Sequence, residues 1–110
     1  MTRFSQYRIM WVIVLFDLPT DTSEDRKTAA QFRKTLLKDG FQMLQFSIYV
    51  RHCSSDENAK VHIQRTKRSL PERGHVGILK ITDKQFGLME LFYGIQKAAL
   101  PGHSTQLMLF

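Results

Sequence analysis

The chain has 110 residues, enough for one domain with a sizeable core, and 43% of them are apolar. Sixteen Lys and Arg against ten Asp and Glu leave a net charge of +6, which suits a polyanionic partner and equally suits plain solubility. A single cysteine excludes an internal disulfide and fits a reducing cytoplasm, while no secretory signal is read and no apolar run approaches the ~20 residues of a membrane span.

The stretch YRIMWVIVLFD (7–17) reads as a buried strand, because its apolar run stops at one carboxylate, Asp17, just before the turn residue Pro19. A helix is expected over 20–40, with Thr20, Asp21 or Thr22 as N-cap and Gly40 placed for the C-cap. Its apolar face would be Ala29, Phe32 and Leu36, with Leu37 alongside. Residues 41–53 are strand-like but long for one strand, so a bulge or tight bend is expected within them. A second helix is expected over 54–71, capped by Ser54 or Ser55, stopped by Pro71 and striped inward by Ala59, Ile63, Thr66 and Leu70. Strands are expected at 74–83 and 87–94, and the chain closes on an apolar strand at 106–110.

That order reads as βαββαβ, an α+β sandwich of ferredoxin-like type with both helices on one face. The expected core is 1–83, and 84–110 forms C-terminal strands or a tail. The last strand either extends its own sheet or adds to the sheet edge of a second subunit.

Asp17 has two readings. It can bond nearby amides and close a turn. It can also ligate a hard metal such as Mg²⁺, which often takes only one or two protein carboxylates plus a substrate phosphate. One such carboxylate per chain would require a two-fold dimer to supply the second. Asp21, Glu24 and Asp25 could assist, although capping explains them. His52, His62, His75 and His103 lack metal-site spacing; His52 and His75 fall at strand termini, where an approach between them is open. Cys53 has no recognisable activating partner. Lys60, Arg65, Lys67, Arg68 and Arg73 crowd the second helix and its exit, either as a solvated face or as a stripe following a phosphate backbone. Arg26 sits on the charged face of the first helix. Arg73-Gly74 opens like an RNA-recognition signature, but His75, Gly77 and Lys80 replace its stacking aromatics. Contact with nucleic acid is therefore expected at backbone and shape.

Taken together, IVLFD ending in Asp17, the charged helix with Arg33, Gly40-Phe41, the Q-x-S-I-Y element (Gln45, Ser47, Ile48, Tyr49) and the second basic helix resemble the small CRISPR-associated adaptation family, Cas-two. The resemblance implies a ferredoxin-like homodimer whose C-terminal strand crosses to the partner's sheet. It implies Asp17 as metal ligand and catalytic carboxylate for Mg²⁺, or Mn²⁺ in its place, in endonucleolytic cleavage of RNA or double-stranded DNA. It also implies a role in spacer acquisition, bridging two dimers of an integrase partner. Arg33, Phe46 and Ser47 match positions of the family's helix-and-strand motif. Two hypotheses follow: a metal-dependent phosphodiesterase, and an architectural module that binds duplex without a physiological nuclease activity. Many cations and one candidate carboxylate lean the residues themselves towards the second.

Overall fold

The structure, a computed structural model, describes residues 8–102; the expected strand at 106–110, His103 and the first seven residues lie outside the described residues. Its elements are β1 (Met10–Asp17), α1 (Ser23–Lys38), β2 (Gln42–Gln45), β3 (Ile48–Cys53), α2 (Asp56–Arg68), β4 (His75–Thr82), α3 (Asp83–Gly87), β5 (Leu91–Tyr93) and β6 (Gln96–Ala98). β1 to β4 form one antiparallel sheet in the order β2-β3-β1-β4, the ferredoxin-like arrangement, and β5 and β6 form a separate hairpin.

Alternation along β1 builds two cores. Val12, Val14 and Phe16 point to the helical side and pack with Phe32 and Leu36 of α1 and Ala59 of α2. Trp11 and Ile13 point the other way and pack with Val50, Phe86 and Leu100. On that second face Leu15 and Leu79 keep 41% and 49% of their surface exposed, so the described residues cover the sheet only partly there.

The first helix starts where Thr22 accepts a hydrogen bond from the Asp25 amide. It ends in a Schellman arrangement: the Gly40 amide bonds the Leu37 carbonyl and the Phe41 amide bonds that of Leu36, with Gly40 at φ +92°. Leu37 is exposed, because the buried stripe runs through Ala29, Phe32 and Leu36 alone. The second helix is capped by Ser55 and stops at Arg68, earlier than Pro71 suggested. Leu70 therefore leaves the stripe and is exposed; Ala59, His62 and Thr66 are buried instead, with Ile63 partly buried against the core.

The strand-like run 41–53 divides at Phe46-Ser47, a two-residue connection between β2 and β3 in which Ser47 takes φ 75°. The expected strand at 87–94 is replaced by the end of α3 and the short β5. A capping box causes this, for the Thr82 hydroxyl accepts from the Gln85 amide and the Gln85 side chain accepts from the Thr82 amide. No helix among the described residues is long and apolar enough to cross a membrane.

Candidate functional site

Asp17 is the last residue of β1 and pairs directly with His75, the first residue of β4. Side chains at such paired positions of an antiparallel sheet share a face, with Cβ atoms roughly 4.5–5.5 Å apart. Both residues are exposed, and both line a cleft with Leu15, Phe16, Phe46, Ser47, Ile48 and Gly77. Gly77 lies opposite Leu15 and contributes no side chain to that floor. The capping work falls to Thr22 and Ser55, whereas the Asp17 carboxylate has no hydrogen bond or ion pair among the described residues. The turn-closing reading of Asp17 loses its support.

Three further residues converge on the same end of the sheet. The Ser47 carbonyl accepts a 3.0 Å hydrogen bond from the Phe16 amide, which ties the β2–β3 connection to the residue before Asp17. Arg33 of α1 lays its guanidinium carbon 4.4 Å from the Phe46 ring centre and 5.5 Å from that of Phe16. Phe46 is otherwise 74% exposed, so the cation holds an aromatic ring at the cleft mouth. Arg33 Nε is buried without an acceptor among the described residues, and ring contact is what anchors this side chain.

The remaining expected contacts divide into engaged and free cations. Arg26 donates to the Thr20 and Asp21 carbonyls at the start of α1. Arg65 bonds Asp39 at 2.7 Å, Arg73 bonds Asp25 at 3.0 Å, and Lys60 pairs with Asp56 at 3.3 Å. Lys67 and Arg68 are exposed and enter no ion pair among the described residues, as do Lys27, Lys34 and Lys38 on the outer side of α1. Asp21, Glu24 and Asp25 gather at the start of α1, where Thr22 caps the helix and Glu24 and Asp25 face the positive end of its dipole.

The histidines separate. His52 pairs with Trp11 and His75 with Asp17, so they stand at opposite ends of β1 and do not approach one another. His62 is buried and bonds Asp39 through Nδ1 at 2.8 Å. Burial alone would raise the Asp39 carboxyl, but the hydrogen bonds and charges of His62 and Arg65 outweigh it and hold the group below its ordinary 3.8. Burial pushes the Cys53 thiol above its ordinary 9.0, which suits an inert core sulfur. Among the described residues no three His, Cys, Asp or Glu groups cluster tightly enough to hold a metal ion; Asp17 supplies at most part of a site.

The chain is similar to known proteins over most of its length. The family model for CRISPR associated protein Cas2 matches residues 10–89. The CRISPR-associated endoribonuclease Cas2 of Flavobacterium psychrophilum is 58% identical over 109 residues, covering 99% of this chain and 95% of its own length. That of Parvibaculum lavamentivorans is 50% identical, covering 92% of this chain and all of its own, and that of Paracidovorax avenae is 40% identical over 94% of this chain and 96% of its own.

Proposed function

The chain belongs to the Cas2 family of CRISPR-associated proteins, and from that premise we propose that it is a metal-dependent endoribonuclease working as a homodimer. The observation that carries this reading is the Asp17 carboxylate, exposed at a strand end, lining a cleft and unclaimed by any donor among the described residues. Such a group fits Mg²⁺, or Mn²⁺ in its place, since Mg²⁺ keeps most of its waters and needs one or two carboxylates beside the phosphate. Bound there, the metal would supply an ionised water and a counter-charge for the phosphate undergoing cleavage. The chain's own residues do the rest. Arg33 and Phe46 form a cation and ring at the cleft mouth against which a nucleotide can lie, and the Ser47 carbonyl fixes the height of Phe16 and hence of Asp17.

The dimer completes the site. Leu15 and Leu79 are apolar, partly uncovered and on the same sheet face as Asp17. A two-fold axis through that face buries like against like and brings two copies of Asp17 towards one another. Asp17→Asn tests the reading: cleavage of RNA by highly purified protein should be lost while the variant remains a dimer. Cleavage that survives would remove Asp17 from the chemistry.

A second reading rests on a different observation, the cations Lys67 and Arg68 with Lys27, Lys34 and Lys38, which are exposed and enter no ion pair among the described residues. In it the dimer also holds duplex DNA along its backbone, beside an integrase partner, during spacer acquisition. Replacing Lys67 and Arg68 by Gln should then flatten the slope of log K against log salt by roughly two. An unchanged slope would exclude α2 from the duplex contact.

A further inference from the structure

We propose that His75 is a second metal donor of this site, and that its imidazole makes the protein select Mn²⁺ over Mg²⁺. The inference deepens the reading of Asp17 as a ligand and rests on it. Its basis is placement. Asp17 and His75 are cross-strand partners at the end of the β1–β4 pair, on one face and in one cleft. Groups whose Cβ atoms stand roughly 4.5–5.5 Å apart can both reach an ion set between them at metal–ligand distance.

Nothing else among the described residues competes for either group. Neither side chain enters a hydrogen bond or an ion pair there. The nearest arginine in sequence, Arg73, turns away to Asp25 at 3.0 Å. Gly77, two residues beyond His75, leaves the ring unobstructed on the strand's cleft side. The other described histidines are committed elsewhere: His62 to Asp39, and His52 edge-on to the Trp11 ring at 5.2 Å.

The donor chemistry sets the selectivity. Mg²⁺ is hard, takes oxygen ligands and gives up water reluctantly, so an imidazole adds little to its binding. Mn²⁺ stands at the weak end of the Irving–Williams order yet accepts imidazole nitrogen, as later metals do more strongly. A carboxylate alone would discriminate poorly between the two ions. A carboxylate with a facing imidazole raises the affinity for Mn²⁺ and leaves that for Mg²⁺ nearly unchanged. In a two-fold dimer the set becomes two Asp17 and two His75 groups.

Calorimetric titration with Mn²⁺ and with Mg²⁺, together with Mn²⁺ electron spin-echo spectroscopy, tests this on the full chain. The unsubstituted protein should bind Mn²⁺ more tightly and show ¹⁴N modulation from a coordinated imidazole. His75→Gln should abolish the modulation and lower Mn²⁺ affinity at least roughly tenfold, the low end of what a metal site loses with a supporting group. Its Mg²⁺ affinity should hardly move. His52→Gln, at the far end of the sheet, should change neither. If Asp17→Asn abolishes binding of both ions while His75→Gln keeps the modulation and the Mn²⁺ preference, the assignment of His75 is overturned and Asp17 stands as ligand. If Asp17→Asn binds both ions as the unsubstituted protein does, the reading of Asp17 fails, and the role of His75 fails with it.

Discussion

A Cβ added at Gly74 would lie 2.8 Å from the Asp17 carbonyl oxygen and 2.8 Å from Leu18 Cδ2, in a backbone already at φ +98°. The start of β4 can therefore run beside Asp17 only if residue 74 has no side chain, which makes this glycine part of the reason that His75 meets Asp17. Gly94 supplies the comparison, since it has φ +61° but nothing within 4 Å of an added Cβ. Gly94→Ala should cost only the left-handed backbone penalty, about 1 kcal/mol. Gly74→Ala adds a clash against backbone and should cost more, about 2–3 kcal/mol, within the range of strained backbone positions. Urea unfolding of the two variants checks this, and equal costs would show that β4 shifts to admit the methyl group. Such a shift would itself move His75, so metal affinity should fall in Gly74→Ala and not in Gly94→Ala.

Helix α1 is fastened to helix α2 by one carboxylate, Asp39, which bonds His62 Nδ1 at 2.8 Å and Arg65 at 2.7 Å, while Arg51 donates to its carbonyl at 2.8 Å. Because Asp39 titrates below 3.8 in the folded chain, it binds a proton less readily there than in the unfolded chain. Its stabilising contribution is thus complete above the unfolded value and is lost as pH falls through the folded one. Thermal midpoints recorded downward from pH 5 should drop more steeply for the unsubstituted protein than for Asp39→Asn, and parallel curves would remove this carboxylate from the acid response. At the other sheet face Phe86 is fully buried and stacks on Trp11 at 4.0 Å, so Phe86→Ala should cost about 3–5 kcal/mol in urea unfolding. A cost below 1 kcal/mol would mean that α3 is dispensable to the second core. These elements were unequally legible in the sequence. Thr22, Ser55 and Gly40 act locally, so the sequence narrows the caps to Thr20, Asp21 or Thr22, to Ser54 or Ser55, and to Gly40, and hydrogen bonding selects among them. The capping box of Thr82 and Gln85 was equally local, yet the apolar residues after it suggested a strand. Ser47 takes its positive φ where its carbonyl meets the Phe16 amide, a contact no neighbouring residue announces. The strand-end carboxylate was legible for the same reason the caps were, whereas its neighbour His75 depends on β1 pairing with β4. The ferredoxin-like strand order, with β4 antiparallel to β1, puts the start of β4 beside Asp17.

Among the described residues, one face of the sheet is finished and the other is not. The helices α1 and α2 close the side of Val12, Val14 and Phe16, while α3 and the segment to Leu100 close only part of the other side. An antiparallel sheet can leave a polar face in water, but here the uncovered part is apolar, Leu15 and Leu79, and it lies on the same face as the proposed metal donors. The proposed dimer ties assembly to chemistry: on that reading, covering the leucines with a second copy is the same event that pairs the two half-sites. Leu79→Lys separates this account from a monomeric enzyme. It replaces a half-exposed leucine in a strand and should leave the far-ultraviolet circular dichroism spectrum unchanged. It should convert the protein to a monomer by light scattering after gel filtration, and cleavage and metal binding should be lost together. Leu70→Lys is the matched control, with 46% exposure against 49%, but it follows α2 on the helical side and should leave the dimer and its activity intact. A Leu79→Lys variant that remains dimeric and cleaves RNA would place the interface elsewhere. Each chain would then have to build its site from one Asp17 and one His75, without help across the two-fold axis.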